Sequence, residues 1–170
     1  MKIKKIVSTA LLMLFSVMVS AQTPLVGNWK NVEAKTEKQD WGKVESSSNT
    51  VYDFNQNNSF THTGKMVVKL VGNDGKTADY VISFNGVGTW KQDGDKLVLT
   101  YDAKKSKLNE EKNTLSGYLK LFGKAITKTA KKMISSKKPV SQKVVSVSTK
   151  TLVLKDLNDK KAVNKTFTKQ

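Results

Sequence analysis

The chain of 170 residues carries thirty basic and fourteen acidic side chains, which gives a formal net charge of +16. Every basic residue is a lysine, and the absence of the bidentate arginine fork argues against sequence-specific recognition of nucleic acid. With one histidine and no cysteine, the sequence excludes disulfides, Cys/His nucleophilic sites and multi-histidine zinc centres. We therefore expect no metal and no cofactor.

Residues 1–21 have the layout of a secretory signal peptide. Three lysines among the first five residues precede an apolar run over residues 6–19, and Val19, Ser20 and Ala21 form a small-residue cleavage site. The run is shorter than the roughly 20 residues that a membrane span needs, and an uncleaved anchor is the alternative interpretation. The sequence thus predicts one mature domain, residues 22–170, that is secreted or periplasmic, has no transmembrane span and lacks a lipoprotein cysteine.

Gly27 and Trp29 mark the first predicted strand of this domain. Residues i and i+2 share a face of a strand, so Gly27 leaves space beside Trp29 for a close approach. The same Gly-x-Trp-Lys string returns at residues 88–91, with Gly88 and Trp90 in the equivalent positions. We expect two parts of one sheet to be closed in the same way by the two tryptophans.

Residues 33–48 are polar and lack sustained periodicity, which predicts a long loop at the mouth of a barrel. Trp41, within this segment, is either a ligand-stacking residue or a lid over the core. Period-two alternation starts at Thr50 and continues to Tyr101, interrupted by short turns such as residues 73–76. With the first strand, this region predicts about six antiparallel strands in a meander.

Residues 102–113 are predicted to be a charged connector, with Asn113 or Thr114 as the N-cap of a following helix. Apolar residues then recur at steps of three and four from Leu115 to Met133, which predicts an amphipathic helix of about 20 residues. Its apolar stripe either packs across the side or open end of the barrel, or lies on an anionic membrane surface. Three more strands are predicted at residues 140–147, 151–155 and 162–168.

Together, these predicted elements indicate a mainly β fold: an antiparallel up-and-down barrel of eight or nine strands, with one amphipathic helix inserted before the last strands.

Charge is distributed unevenly over this fold. Residues 22–101 hold nine lysines and nine acidic residues, whereas residues 102–170 hold eighteen lysines and five acidic residues, a net charge of +13. A field of this sign favours anionic surfaces or ligands.

A Gly-x-Trp on the first strand of an exported, all-β chain resembles the lipocalin-like (calycin) barrels, in particular small extracytoplasmic ones from bacteria. Gly27 and Trp29 carry the resemblance, and Gly88 and Trp90 extend it. It implies that these four residues are structural and close the barrel, and that the interior binds a small hydrophobic molecule without chemistry.

Two features depart from that family. Lipocalins usually carry an arginine on a late strand over the tryptophan, so a lysine such as Lys155 or Lys165 would have to replace it here. Their helix usually follows the eighth strand, whereas the helix predicted here precedes the last strands. The chain is therefore expected to be a divergent relative.

The sequence offers no catalytic constellation, and we expect a binding protein, not an enzyme. The lone histidine, His62, on an apolar strand face, is typical of a hydrogen-bonded core residue, with a general base as the alternative. The ligand is expected to be small, hydrophobic or amphiphilic, and to be held in the barrel beneath the helix. The residues predicted to line its site are Phe54, His62, Met66, Tyr80, Ile82, Phe84, Tyr118 and Phe122.

The alternative function is that of a surface-interaction protein, in which the barrel is filled by its own side chains. Its lysine-rich second half would then contact an anionic membrane, a polysaccharide or a protein partner. The lysines predicted for this contact lie on the helix: Lys120, Lys124, Lys128 and Lys131.

Overall fold

The computed structural model describes residues 25–117, 119–159 and 161–170, and the predicted signal peptide lies outside these ranges. The described residues form nine strands and one helix. The elements are β1 (Gly27–Gln39), β2 (Gly42–Phe54), β3 (Ser59–Gly72), β4 (Thr77–Asp93), β5 (Lys96–Tyr101), β6 (Lys107–Asn113), α1 (Leu119–Ile134), β7 (Val140–Val147), β8 (Thr151–Asp156) and β9 (Lys165–Lys169).

Eight of these strands close into an antiparallel up-and-down barrel. Each pairs with the next along the chain, except that β5 pairs with β7 because β6 stands outside the closed ring. Pairing of β9 with β1 completes the barrel. The predicted fold class, with its single helix before the last strands, is thereby confirmed.

Strands β1 to β4 continue well beyond the closed barrel. β9 pairs with β1 only at Trp29 and Lys30, whereas β2 follows β1 over the whole length of both strands. β4 pairs with β5 near its C-terminal end and with β6 over residues 80–85. The overhanging parts of β1 to β4, together with β6, form an open sheet that we call the extended sheet.

Two predictions about this region were wrong. Residues 33–48 form most of the β1–β2 hairpin instead of a loop, with Asp40 and Trp41 at its turn. Residues 107–113 of the predicted connector form β6, an edge strand that pairs with β4. In the overhang, β1 is exposed along its length after Asn31, and β6 is mostly exposed, so neither shows the apolar alternation of a half-buried strand.

The helix begins at Leu119, later than predicted, and packs on the extended sheet. Neither predicted N-cap residue caps it. The Asn113 side chain accepts a hydrogen bond from the Leu115 amide at 3.1 Å, and Thr114 Oγ1 accepts one from the Asp79 amide at 2.7 Å. These contacts tie the approach to α1 against the start of β4.

Two apolar clusters result. The larger one fills the barrel, and the smaller one lies between α1 and the extended sheet, where Ala130 of the helix is buried over Tyr80 and Ile82. Met66 contacts both clusters. In the described ranges, α1 falls short of the length and apolar character that crossing a bilayer requires.

Candidate functional site

The barrel interior is occupied by aromatic rings in mutual contact. The Tyr52 ring stacks on His62 with centroids 4.0 Å apart and on Phe54 at 5.4 Å. Phe167 approaches the same ring at 5.6 Å and Phe60 at 6.3 Å, both tilted. All five side chains are buried, so the protein itself fills the barrel at this level.

A polar pair lies inside this aromatic cluster. His62 Nδ1 and Tyr101 Oη are 2.9 Å apart, both on buried side chains. Burial lowers the pKa of His62 to about 3, and the charge of Lys165 acts in the same direction. Burial also raises the pKa of Tyr101 well above its ordinary value. The imidazole is therefore neutral at physiological pH, in the geometry of a hydrogen-bonded core residue.

Trp29 is fully buried where β9 meets β1. Its Nε1 donates a hydrogen bond to the Leu25 carbonyl at 2.6 Å. Lys169, the β9 residue paired with Trp29, holds its Nζ 5.1 Å from the centre of the indole ring and donates to the Val26 carbonyl at 3.1 Å. A cation over the ring face and a satisfied indole N–H fix the tryptophan in place.

The cation over Trp29 is thus Lys169 and neither Lys155 nor Lys165. Lys165 instead lies 3.5 Å from a carboxylate oxygen of Glu33. Gly27 makes room for Lys169, because a Cβ atom there would meet the lysine Cε at 2.8 Å. The space that the Gly-x-Trp spacing predicted is therefore used by a side chain from the last strand.

Trp90 is held in a comparable way. Its Nε1 donates to the Asn55 carbonyl at 3.2 Å, and its ring meets Phe54 edge-on at 5.6 Å. A Cβ at Gly88 would come within 2.1 Å of the Thr100 carbonyl oxygen, so only glycine allows β5 to run this close. Both tryptophans therefore donate to main-chain carbonyls. In both cases, another part of the chain lies close to the glycine two residues earlier.

An open apolar groove lies between α1 and the end of the extended sheet. Its volume is about 240 Å³. Trp41 and Phe122 face solvent with 41% and 42% of their surfaces exposed. The groove is lined by Trp41, Val44, Leu70, Leu119 and Phe122.

Two turns position Trp41 at this groove. The Asn73 amide donates to the Trp41 carbonyl at 3.0 Å, and the Asn73 side chain donates to the Asp40 carbonyl at 2.8 Å. The β3–β4 turn is thereby attached to the β1–β2 turn. Gly42 sits between them, since a Cβ there would lie 2.0 Å from the Val71 carbonyl oxygen.

The predicted ligand-lining residues are divided among three places. Phe54, His62 and Phe84 belong to the barrel core, Tyr80 and Ile82 to the cluster beneath α1, Met66 to the border of both, and Phe122 to the groove, while Tyr118 lies outside the described residues. Trp41, a stacking residue or a lid by its sequence, lines the groove, whereas Val44 has no signal in the sequence because its strand resembles a loop.

The outer face of α1 is strongly basic. Five lysines are exposed there, and none of their ammonium groups forms an ion pair with a carboxylate in the part of the chain that the structure describes. They are Lys120, Lys124, Lys128, Lys131 and Lys132.

Among the described residues, no group of three or more His, Cys, Asp or Glu side chains is placed to hold a metal ion. The chain matches no model of a known protein family, and no curated protein matches it either.

Proposed function

We propose that this protein is an extracytoplasmic, divergent lipocalin-like binding protein that holds a small amphiphilic ligand in the groove beside α1, without chemistry. The observation that carries the proposal is the apolar groove with two exposed aromatic rings at its rim. The closed up-and-down barrel, with a cation over Trp29, supports the lipocalin-like relationship. Export rests on the signal-like residues 1–21.

The groove suits a ligand better than the barrel does. Inside the barrel the rings of Tyr52 and His62 are already in contact, whereas the groove has about 240 Å³ of free volume. An apolar cavity of about 150 Å³ is enough to bind benzene. The groove therefore has room for an aromatic ring or a short acyl segment, with a polar end left in solvent.

The surrounding charge favours an anionic polar end. Lys120 and Lys124 are exposed on the helix turn that carries Leu119 and Phe122. Two acidic residues lie near the groove: Asp40 precedes Trp41 at the turn, and Glu37, which is paired with Val44 in the ladder, already forms an ion pair with Lys35. An anionic head group at the groove would thus be attracted by the positive field of the helix lysines.

Titration with anilinonaphthalene sulfonate, an anionic aromatic amphiphile, tests the proposal. Val44→Asp places a charge against the groove, and we expect the variant to bind the probe at least about tenfold more weakly than the unmodified protein. Val67→Asp is the matched control, since Val67 lies on β3 with its side chain on the opposite face of the sheet. Equal binding by both folded variants would reject the groove as the site.

A second candidate function is surface interaction through the lysine-rich second half. The observation that favours it is the set of exposed lysines on α1, which form no ion pair with any carboxylate among the described residues. Salt separates the two candidates, because surface docking weakens steeply with ionic strength whereas burial of an apolar ring does not. Native mass spectrometry after incubation with a cell-envelope extract provides the direct readout: a discrete adduct that survives salt supports the groove ligand.

A further inference from the structure

We infer that the outer face of α1 docks on an anionic lipid bilayer, with Trp41, Leu121 and Phe122 entering the interfacial region. The inference rests on the second candidate function and names its partner. It does not depend on a ligand in the groove.

The five lysines of α1 lie on one side of the helix. At about 100° per residue they fall within an arc of about 120°, and Leu121 lies within the same arc. Ala130, which is buried against the extended sheet, is diametrically opposite Leu121 on the same geometry. The lysine face therefore points away from the protein and is free to meet an extended surface.

The sequence segment around α1 carries no acidic residue. Residues 112–155 contain eleven lysines and neither Asp nor Glu. Lys120, Lys124 and Lys128 are spaced four residues apart, a like-charge arrangement that destabilises an isolated helix. An anionic surface relieves that repulsion, whereas a second copy of the same face would increase it.

One exposed apolar side chain stands among these lysines, and two more lie beside them at the groove. Leu121 is 68% exposed, and Phe122 follows it directly at the rim of the groove. Trp41 lines the same groove, so all three are at one end of the molecule. Lysines around exposed Leu, Phe and Trp are the composition of interfacial helices, and Trp favours the headgroup region.

This composition distinguishes a bilayer from a soluble polyanion. A polyanion needs only the lysines, and its contacts would leave Leu121 and Phe122 in water. A bilayer accepts both the charges and the apolar side chains. The observations therefore favour lipid over nucleic acid or an acidic polysaccharide.

Trp41 provides a direct probe of insertion. Trp29 and Trp90 are buried, with exposed fractions of 0% and 5%, so contact quenching by lipid reports on Trp41. We expect the protein to cosediment with phosphatidylglycerol-containing vesicles at least about tenfold more tightly than with pure phosphatidylcholine vesicles at low salt. Brominated phosphatidylcholine in the anionic vesicles should quench the tryptophan fluorescence, and Trp41→Phe should remove that quenching.

Two sets of variants separate the charged and apolar contributions. The triple change Lys120→Gln, Lys124→Gln and Lys128→Gln should weaken vesicle binding at least about tenfold. Its control removes the same charge from the opposite end of the strands. The control changes are Lys91→Gln, Lys96→Gln and Lys150→Gln, at or beside the β4–β5 and β7–β8 turns, and they should leave binding within about twofold.

Leu121→Ser with Phe122→Ser should reduce quenching of Trp41 and weaken binding while keeping all lysines. Circular dichroism and thermal unfolding establish that each variant is folded. Equal weakening by the two triple-lysine variants, or vesicle binding without quenching, would overturn insertion through this face.

Heparin-agarose completes the test. Retention on heparin with the same lysine dependence, but no vesicle binding, would overturn the bilayer as partner and leave the second candidate function standing. Failure to bind either the vesicles or heparin at low salt would reject both.

Discussion

The same four strands bury their inner faces at one end of the molecule and leave them partly open at the other. In the barrel, Trp29, Tyr52 and His62 are paired across β1, β2 and β3, and all three are buried. Six residues farther along β1, the equivalent row is Lys35, Ser46 and Val68, of which only the valine is buried.

This difference follows from what covers each end. In the barrel, β9 closes the ring at Trp29 and Lys30, and the enclosed face must be apolar and tightly packed. In the extended sheet, α1 covers mainly β4 and β6, so the inner side of β1 stays in solvent. Packing is thus concentrated in the barrel, and the groove with its two exposed aromatic rings lies at the helix end.

Truncating one phenylalanine at each end of the molecule should reveal the largest difference in stability between the two ends. Phe60 is buried against the rings of Tyr52, Phe54 and Tyr101, so Phe60→Ala should lower the free energy of unfolding by about 3–5 kcal/mol. Phe122→Ala, at the groove rim, should cost less than about 1 kcal/mol. Urea denaturation followed by circular dichroism measures both, and similar losses would contradict the assignment of stability to the barrel.

Acid should weaken the barrel end through His62. Its pKa is about 3 in the folded protein, because the imidazole is buried, against an ordinary value of 6.5. Below about pH 6.5 the unfolded chain binds a proton that the folded chain does not. The contribution of neutral His62 to the free energy of unfolding is therefore complete above that pH. It is lost as the pH falls toward 3, by about 1.4 kcal/mol per pH unit.

Between about pH 6.5 and pH 4.5 this loss amounts to roughly 2–3 kcal/mol. Urea denaturation at both pH values measures it, with His62→Gln as the control, since the amide cannot take up the proton. The variant should be less stable at neutral pH but lose much less stability on acidification. A parallel decline in both proteins would show that other groups dominate the acid sensitivity.

The barrel strands were predictable because their period of two reflects one buried face. Tyr52 and Phe54 lie on either side of the polar Asp53, and the turn at residues 73–76 carries an Asp-Gly pair. The helix was predictable for the analogous reason, because its buried residues recur at steps of three and four. Where one face of an element is buried and the other is exposed to solvent, its period can be recognised in the sequence.

The extended sheet was less predictable, because its outer strands have no such contrast. Residues 33–39 of β1 are exposed on both faces, and all of them except Ala34 are polar, so no apolar side chain recurs at every second position. β6 resembles a charged loop for the same reason. Strand pairing there is fixed by main-chain hydrogen bonds to a neighbouring strand. Such bonds require no particular side-chain pattern, so the sequence does not indicate them.

The groove could not be predicted from the sequence, and the choice between a hollow and a filled barrel could not be made from it. Val44 and Leu119 lie far apart in the sequence, and they line one groove only because of the position at which α1 packs on the sheet. Inward-facing residues such as Phe54 and Phe84 have the same pattern in a hollow barrel and in a filled one. Only the ring contacts distinguish the two.

The smallest predicted effect concerns the attachment of the helix to the extended sheet. Tyr80 Oη on β4 donates to Glu110 Oε2 on β6 at 2.8 Å and also contacts the Thr127 hydroxyl on α1. A Cβ at Gly123 would meet the Tyr80 ring at 3.3 Å, so the glycine lets the helix approach this side chain closely. Tyr80→Phe keeps the ring and removes only the hydroxyl, which should cost about 1 kcal/mol.

That loss should be local to the helix end. Hydrogen exchange of α1 amides should become about fivefold faster in Tyr80→Phe, while amides of β5, β7 and β8 keep their protection. Tyr101→Phe is the matched control, because it removes the hydroxyl that contacts His62 in the barrel. Should Tyr80→Phe instead accelerate exchange equally in β7 and α1, the two ends would unfold as one cooperative unit, and the groove could not open independently of the barrel.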